Sequence, residues 1–166
     1  GGTGNDLLEG GRGDDIYVVD NVNDVLVEQP NEGTDLVQSS VTWTLGSDFE
    51  NLTLTGTAST SAGGNDQHNI VTGNSGANWL RGYSGDDWLY GGGGNDTLRG
   101  EDGDDWLDGD SGSDILRGGA GLDTQTGGSG NDTFDFDAVY ESGVGVGLRD
   151  IITDFVRGQD RIDVST

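Results

Sequence analysis

Cysteine and methionine are absent from this sequence, proline occurs once (Pro30), histidine once (His68), and only seven side chains are basic. Without cysteine there can be neither a disulfide framework nor a thiolate metal site. With a single histidine and no HExxH, the helical zinc-hydrolase pattern is excluded. So few cations on an acidic chain also exclude a nucleic-acid surface, because phosphates would be repelled. No apolar run approaches the length of a membrane helix, so no transmembrane segment is expected. No cleavable N-terminal leader is visible. The first residue is Gly1 rather than methionine, which reads as a piece of a longer protein.

What is abundant is glycine, at 33 residues, and acid, at 31 aspartates and glutamates, for a net charge of −24 in 166 residues. Apolar residues make up 30%. A chain so charged and so poor in apolar surface sits near the disordered class unless something neutralises it. A multivalent cation does this with the fewest added groups.

The acid and glycine are not scattered. From Gly73 to Asp135 the sequence falls into seven consecutive nonapeptides: GNSGANWLR, GYSGDDWLY, GGGGNDTLR, GEDGDDWLD, GDSGSDILR, GGAGLDTQT and GGSGNDTFD. Positions 1 and 4 are glycine throughout. Position 6 is aspartate in all but the first unit, which has Asn78. Position 8 is Leu80, Leu89, Leu98, Leu107, Leu116, Gln125 and Phe134. The register extends back through residues 64–72, with Asn69 at position 6 and Val71 at position 8. A second block opens the chain as GGTGNDLLE and GGRGDDIYV, and continues to Val27 with Asp24 at position 6. A solvated glycine–aspartate linker would not keep an apolar residue at every eighth place of nine.

The period dictates a parallel β-roll. Glycines at positions 1, 2 and 4 allow the backbone of a tight turn. The three residues after the aspartate read as a short strand whose middle residue points inward. Two nonapeptides make one coil, so residues 18 apart stack at about 4.8 Å, the spacing of neighbouring strands. Asp96, Asp114 and Asp132 then share one edge, and Asp87, Asp105 and Asp123 the other. Carboxylates so close in a partly dry site repel strongly unless a cation sits between them. Turn carbonyls and carboxylates together offer the six to eight oxygens that Ca²⁺ takes, so several calcium ions are expected as part of the fold.

Outside the repeats the pattern loosens. Pro30 interrupts it, and Asp35-Leu36-Val37 restarts it about two residues out of phase. Val41 to Leu45 alternates and predicts a longer strand; Leu52 to Thr55 predicts another. Asn69 and Asn78 offer neutral oxygens, so sites beside them should be weak or vacant. Residues 1–27 form the first block, 28–63 irregular strands continuing the roll, 64–135 the main block, and 136–166 a C-terminal cap, all within one unit. The cap carries apolar residues to cover the open end of the stack, as solenoids require.

These repeats resemble the RTX (haemolysin-type calcium-binding) modules of proteins exported by type I secretion. The tail, from DTFDFDAVYES to RDIITDFVRGQDRIDVS, resembles the C-terminal part of serralysin-type metalloproteases and the R-modules of mannuronan C5-epimerases. EGTDLVQSSVTWTLGSDFENLTLTG is similar to a segment of large RTX proteins. The resemblance implies an all-β, right-handed parallel β-roll. It implies export unfolded, with folding outside the cell on calcium, and calcium held by turn carbonyls and position-6 carboxylates. In the first block that set is Gly2, Gly4 and Asp6, then Gly11, Gly13 and Asp15, then Asp24. In the main block it begins with Asn78, then Gly82, Gly85 and Asp87, then Gly91, Gly92, Gly93, Gly94 and Asp96. It continues with Gly100, Asp102, Gly103 and Asp105, then Gly109, Ser111, Gly112 and Asp114. Gly118, Gly119, Ala120, Gly121 and Asp123 follow, then Gly127, Gly128, Gly130 and Asp132. Glu141, Asp150 and Asp160 fall where the protease tail has further acidic ligands. The fragment ends before the rest of that tail, so an export signal need not lie within it.

No catalytic constellation is present: the repeat accounts for the acidic pairs, and a filled roll has no cleft for a general acid and base. His68 reads as a solvated turn residue. The chain is thus expected to be a non-catalytic, secreted, extracellular module covalently attached to a catalytic or adhesive domain. A different reading comes from the outward positions, where Arg81, Arg99 and Arg117 recur every 18 residues, Trp79 shares their sheet, and Trp88 and Trp106 stack opposite. Such a face could grip an anionic polysaccharide such as alginate by ion pairing and stacking. The plainer reading is that the arginines offset turn aspartates and the tryptophans cover the sheet.

Overall fold

The computed structural model describes residues 1–136 and 149–164, and among them every regular element is a strand. In chain order these are β1 Leu7–Glu9, β2 Ile16–Val19, β3 Val25–Val27, β4 Leu36–Ser39, β5 Trp43–Thr44, β6 Asn51–Leu54, β7 Ser61–Gly63, β8 Ile70–Thr72 and β9 Trp79–Ser84. The rest are β10 Trp88–Tyr90, β11 Thr97–Asp102, β12 Trp106–Asp108, β13 Ile115–Ala120, β14 Thr124–Thr126, β15 Thr133–Asp135, β16 Ile151–Ile152 and β17 Arg161–Asp163. From β4 onward the chain alternates between two sheets. The even strands β2 to β16 make an eight-stranded sheet and the odd strands β5 to β17 a seven-stranded one, while β1 pairs with β3. All of these pairings are parallel. The molecule is an all-β parallel solenoid.

The register confirms the 18-residue coil: Trp88 pairs with Trp106, Leu98 with Leu116, and Arg99 with both Arg81 and Arg117. Position 8 forms the core. Leu80, Leu89, Leu98, Leu107, Leu116 and Phe134 are fully buried, with Val37, Leu52 and Val71 continuing the file through the irregular coils. Gln125 occupies one of these places and is equally buried.

Three details differ from the sequence reading. β9, β11 and β13 are six residues long rather than three, because pairing runs on through the turn, as in Glu101 with Tyr83 and Asp102 with Ser84. The strand expected over Val41 to Leu45 shrinks to Trp43–Thr44. There the Ser39 hydroxyl accepts the Val41 N–H (3.2 Å) and donates to the Val41 carbonyl (2.7 Å), a local turn that competes with the ladder. The glycines also serve distinct ends. Position 4 is left-handed, as at Gly94 (φ 106°) and Gly112 (φ 147°), whereas position 1 is not. A Cβ at Gly91, Gly109 or Gly127 would instead stand 2.6 Å from Oδ2 of its own turn's aspartate. Position 1 is glycine for lack of room.

Candidate metal centre

The residue just before each strand defines the site. On the edge of the eight-stranded sheet these are Asp15, Asp35, Glu50, Asn69, Asp87, Asp105, Asp123 and Asp150, and on the edge of the other sheet Asn78, Asp96, Asp114, Asp132 and Asp160. Each side chain is bound to the coil before it. The Asp96 N–H donates to Asp114 Oδ1 (2.7 Å), and Asp114 N–H to Asp132 Oδ1 (3.0 Å); Asp87 N–H donates to Asp105 Oδ1 (2.8 Å), and Asp105 N–H to Asp123 Oδ1 (2.9 Å). The parallel register and the tight turn leave each carboxylate nowhere else to point.

Both ladders run into the C-terminal segment. Asp123 N–H donates to Asp150 Oδ1, 27 residues on, and Asp132 N–H to Asp160 Oδ1, 28 residues on (both 3.1 Å). Two of the three acidic residues expected in the tail, Asp150 and Asp160, therefore take position-6 places. The third, Glu141, lies outside the described residues.

Asp160 uses both oxygens, its Oδ2 accepting the Val156 N–H (2.6 Å), but the main-block carboxylates use only one each. Among the described residues, Oδ2 of Asp87, Asp96, Asp105, Asp114, Asp123 and Asp132 is inaccessible and has no donor, and the same holds for Oδ2 of Asp6 and Asp35. Burial drives the pKa of Asp87, Asp105, Asp114 and Asp123 up to about 7 and that of Asp96 to about 6, against the pull of the backbone N–H each accepts. Asp132 is raised for the same reason. A row of buried, half-satisfied carboxylates is what a hard, oxygen-seeking divalent cation would complete.

The amides at the ladder starts differ. Asn78 donates to Thr60 O (3.0 Å) and accepts the Asn74 N–H (2.8 Å); Asn69 donates to Phe49 O and accepts the Asn65 N–H (2.7 Å). Both are satisfied without an ion. Asp24 is also supplied, accepting N–H groups from Asp6, Asn21 and Asp20, which hold its pKa down.

The glycines at Gly82, Gly85, Gly91, Gly92, Gly94, Gly100, Gly103, Gly118, Gly119, Gly121, Gly128 and Gly130 lie in the turns that carry these carboxylates. Gly93 and Ser111 bridge across one edge. Gly2, Gly4, Gly11 and Gly13 lie in the exposed first turns, and Asp102 and Ala120 close β11 and β13.

Sequence reasoning passed over Asp35 and Glu50, although both immediately precede strands; reading position 6 backward from each restart would have found them. It also missed a second, outer ladder at position 5. There Asp86 Oδ1 accepts the Asp104 N–H (3.0 Å), Asp104 Oδ1 the Leu122 N–H (2.8 Å), and Asn95 Oδ1 the Ser113 N–H (2.9 Å). His68 is exposed in this row, accepting the Asp86 N–H through Nδ1 (2.8 Å).

The outward arginines are engaged. Arg81 forms a two-nitrogen contact with Glu101 Oε1 (2.7 and 2.5 Å) and covers the Tyr83 ring, while Arg99 lies 5.5 Å over Trp79. Trp79, Trp88 and Trp106 are about half exposed.

Comparison with known proteins agrees with this geometry. Endo-1,3-1,4-beta-glycanase ExsH of Rhizobium meliloti (strain 1021) is 41% identical over 69 residues, which is 42% of this chain and 15% of that protein. The chain thus corresponds to a small part of that relative's length. A family model described as the RTX calcium-binding nonapeptide repeat matches four stretches, residues 1–26, 63–98, 90–125 and 99–134, together more than half of the sequence. With the repeat, the roll and the aspartate ladders all pointing the same way, the chain belongs to the RTX calcium-binding nonapeptide repeat family.

Proposed function

We propose that this chain is a calcium-folded accessory module of a secreted protein, supporting its export and stabilising an attached catalytic or adhesive domain. The observation that carries this is the pair of buried aspartate ladders in which Oδ2 of Asp87, Asp96, Asp105, Asp114, Asp123 and Asp132 has no donor among the described residues. Asp87, Asp105, Asp123 and Asp150 on one edge, and Asp96, Asp114, Asp132 and Asp160 on the other, would hold the ions together with the turn carbonyls. Bound calcium supplies the positive charge that lets these carboxylates be buried ionised. The satisfied amide of Asn78 marks where the charged sites of one edge stop, and that of Asn69 interrupts the other edge between Glu50 and Asp87.

An ion that binds only the folded state stabilises it by RT ln(1 + [L]/Kd) at each site, so a row of weak sites acts as a switch. In a calcium-poor cell interior the −24 charge keeps the chain expanded; in a calcium-rich exterior it folds. Circular dichroism in excess EGTA and then in millimolar calcium tests this. The expected result is an unstructured spectrum converted to strand, and a strand spectrum that persists in EGTA sinks the reading.

A second reading, contact with an anionic polysaccharide such as alginate, is favoured by the Trp88–Trp106 pair and by Arg99 over Trp79. The relative named as an endo-1,3-1,4-beta-glycanase is by its name a polysaccharide-acting protein, which supports a sugar ligand here. Oligo-mannuronate or oligo-guluronate should then change tryptophan fluorescence, and Arg99→Ala should weaken the response. No response in either protein retires this reading.

A further inference from the structure

The turn between β3 and β4 breaks the repeat in a specific way. Glu28 follows the strand Val25–Val27 and so stands where regular turns have their crowded first glycine. The turn is longer: Asp15 N–H donates to Asp35 Oδ1 (2.8 Å) across 20 residues, against 18 in the regular ladders. Pro30 and Asn31, the latter at φ 64°, lie in the added length. That room lets Glu28 turn inward, where it is 8% exposed. Its Oε2 accepts the Tyr17 hydroxyl and its Oε1 the Gln29 N–H (3.1 Å). Tyr17 is fixed in turn by the Gly10 N–H (2.8 Å) and by edge-on packing against Phe49, with ring centroids 5.1 Å apart.

Three carboxylates meet there. One oxygen from each of Asp15, Glu28 and Asp35 lies within 4.8 Å of the other two. Asp35 is 1% exposed, and its Oδ2 is buried with no donor. Asp15 Oδ2 and the Tyr17 hydroxyl both crowd the space beside Gly10. Among the described residues, none of the three carboxylates forms an ion pair; Arg12, in the same turn as Asp15, is 93% exposed and reaches Glu32 instead.

We infer that Asp15, Glu28 and Asp35 form a further calcium site, built from three side-chain carboxylates and using two residues outside every stretch matched by the repeat model. The donors are all oxygen, which selects a hard cation. Oxygens within 4.8 Å of one another can all be reached by one calcium ion, whose ligands lie at about 2.3–2.6 Å in flexible geometry. A glutamate in the place of the first glycine thus gives the N-terminal coils an ion of their own. The inference leans on the proposed function only for the choice of cation.

Calcium bound per chain, measured by equilibrium dialysis on the full 166-residue chain, tests it with Glu28→Gln beside Asp114→Asn. The expected result for Glu28→Gln is one ion fewer, or a tenfold weaker affinity for one ion, at unchanged strand content in saturating calcium. Should Glu28→Gln bind as the parent does while Asp114→Asn loses ions, the inference falls and the ladder reading stands. If neither variant loses an ion, both fall. A readout independent of any variant is paramagnetic broadening by substoichiometric Mn²⁺ in the parent chain. The Asp15 and Gln29 amides should broaden with the ladder amides, and sharp signals there at saturation overturn the site.

Discussion

Gln125 is the residue at odds with its surroundings. It holds a position-8 place in a file of leucines, is fully buried, and neither its Oε1 nor its Nε2 has a hydrogen-bond partner among the described residues. An unsatisfied buried polar group costs about 1–3 kcal/mol, so Gln125→Leu should stabilise the calcium-loaded roll by about 2 kcal/mol in urea unfolding. Gly109 and Gly2 make a matched pair for the opposite effect. A Cβ at Gly109 would meet Asp114 Oδ2 at 2.6 Å and the Gly127 carbonyl at 2.7 Å, whereas at Gly2 it would meet nothing within 4 Å. Gly109→Ala should cost about 3 kcal/mol or more, as overpacking a site that cannot give, and Gly2→Ala should lie within about 0.5 kcal/mol of the parent. Equal effects would mean that position 1 is glycine for some reason other than space.

At the scale of elements, the strands are too short to stand alone, and each coil is held by its neighbours through the position-6 carboxylates. Stability in such a stack is a sum of nearest-neighbour interfaces. Asp114 sits between two coils, its Oδ1 accepting the Asp96 N–H and its own N–H donating to Asp132 Oδ1, whereas Asp160 ends its ladder, accepting the Asp132 N–H and, through Oδ2, the Val156 N–H of its own turn. Asp114→Asn should therefore raise the calcium concentration at the folding midpoint more than Asp160→Asn does, by about threefold or more, in a titration followed by circular dichroism. An equal shift would argue against coupling along the edge.

For the whole molecule, protons and calcium compete for the same oxygens. In the metal-free roll, burial raises Asp87, Asp105, Asp114 and Asp123 from 3.8 to about 7. The folded state therefore binds more protons than the unfolded chain between about pH 4 and 7. Stability without metal is then greatest at the acidic end and is lost as pH rises through 7. Calcium-depleted protein should gain strand signal on acidification toward pH 5 and lose it again at pH 8. In the presence of calcium the midpoint concentration should rise as pH falls, and a calcium affinity independent of pH over this range would contradict the buried-carboxylate account.

The nonapeptide period by itself determined the coil, the two-sheet roll, the inward leucines and the paired aspartate edges, because a nine-residue repeat with fixed turns leaves the backbone one way to stack. Asp150 and Asp160 are marked by the resemblance of the tail and not by the period, since nothing in their spacing of 27 and 28 residues from the ladders predicts their place. Only the tertiary structure decided what depends on contacts between coils of unequal length: the inward turn of Glu28, the joining of Asp35 and Glu50 to the ladder, the outer ladder at position 5, and the engagement of Arg81 by Glu101. Local sequence records which groups a turn can offer. Which of them face one another is set by the register of the next coil, and the insertion around Pro30 shows in the sequence only as a restart about two residues out of phase.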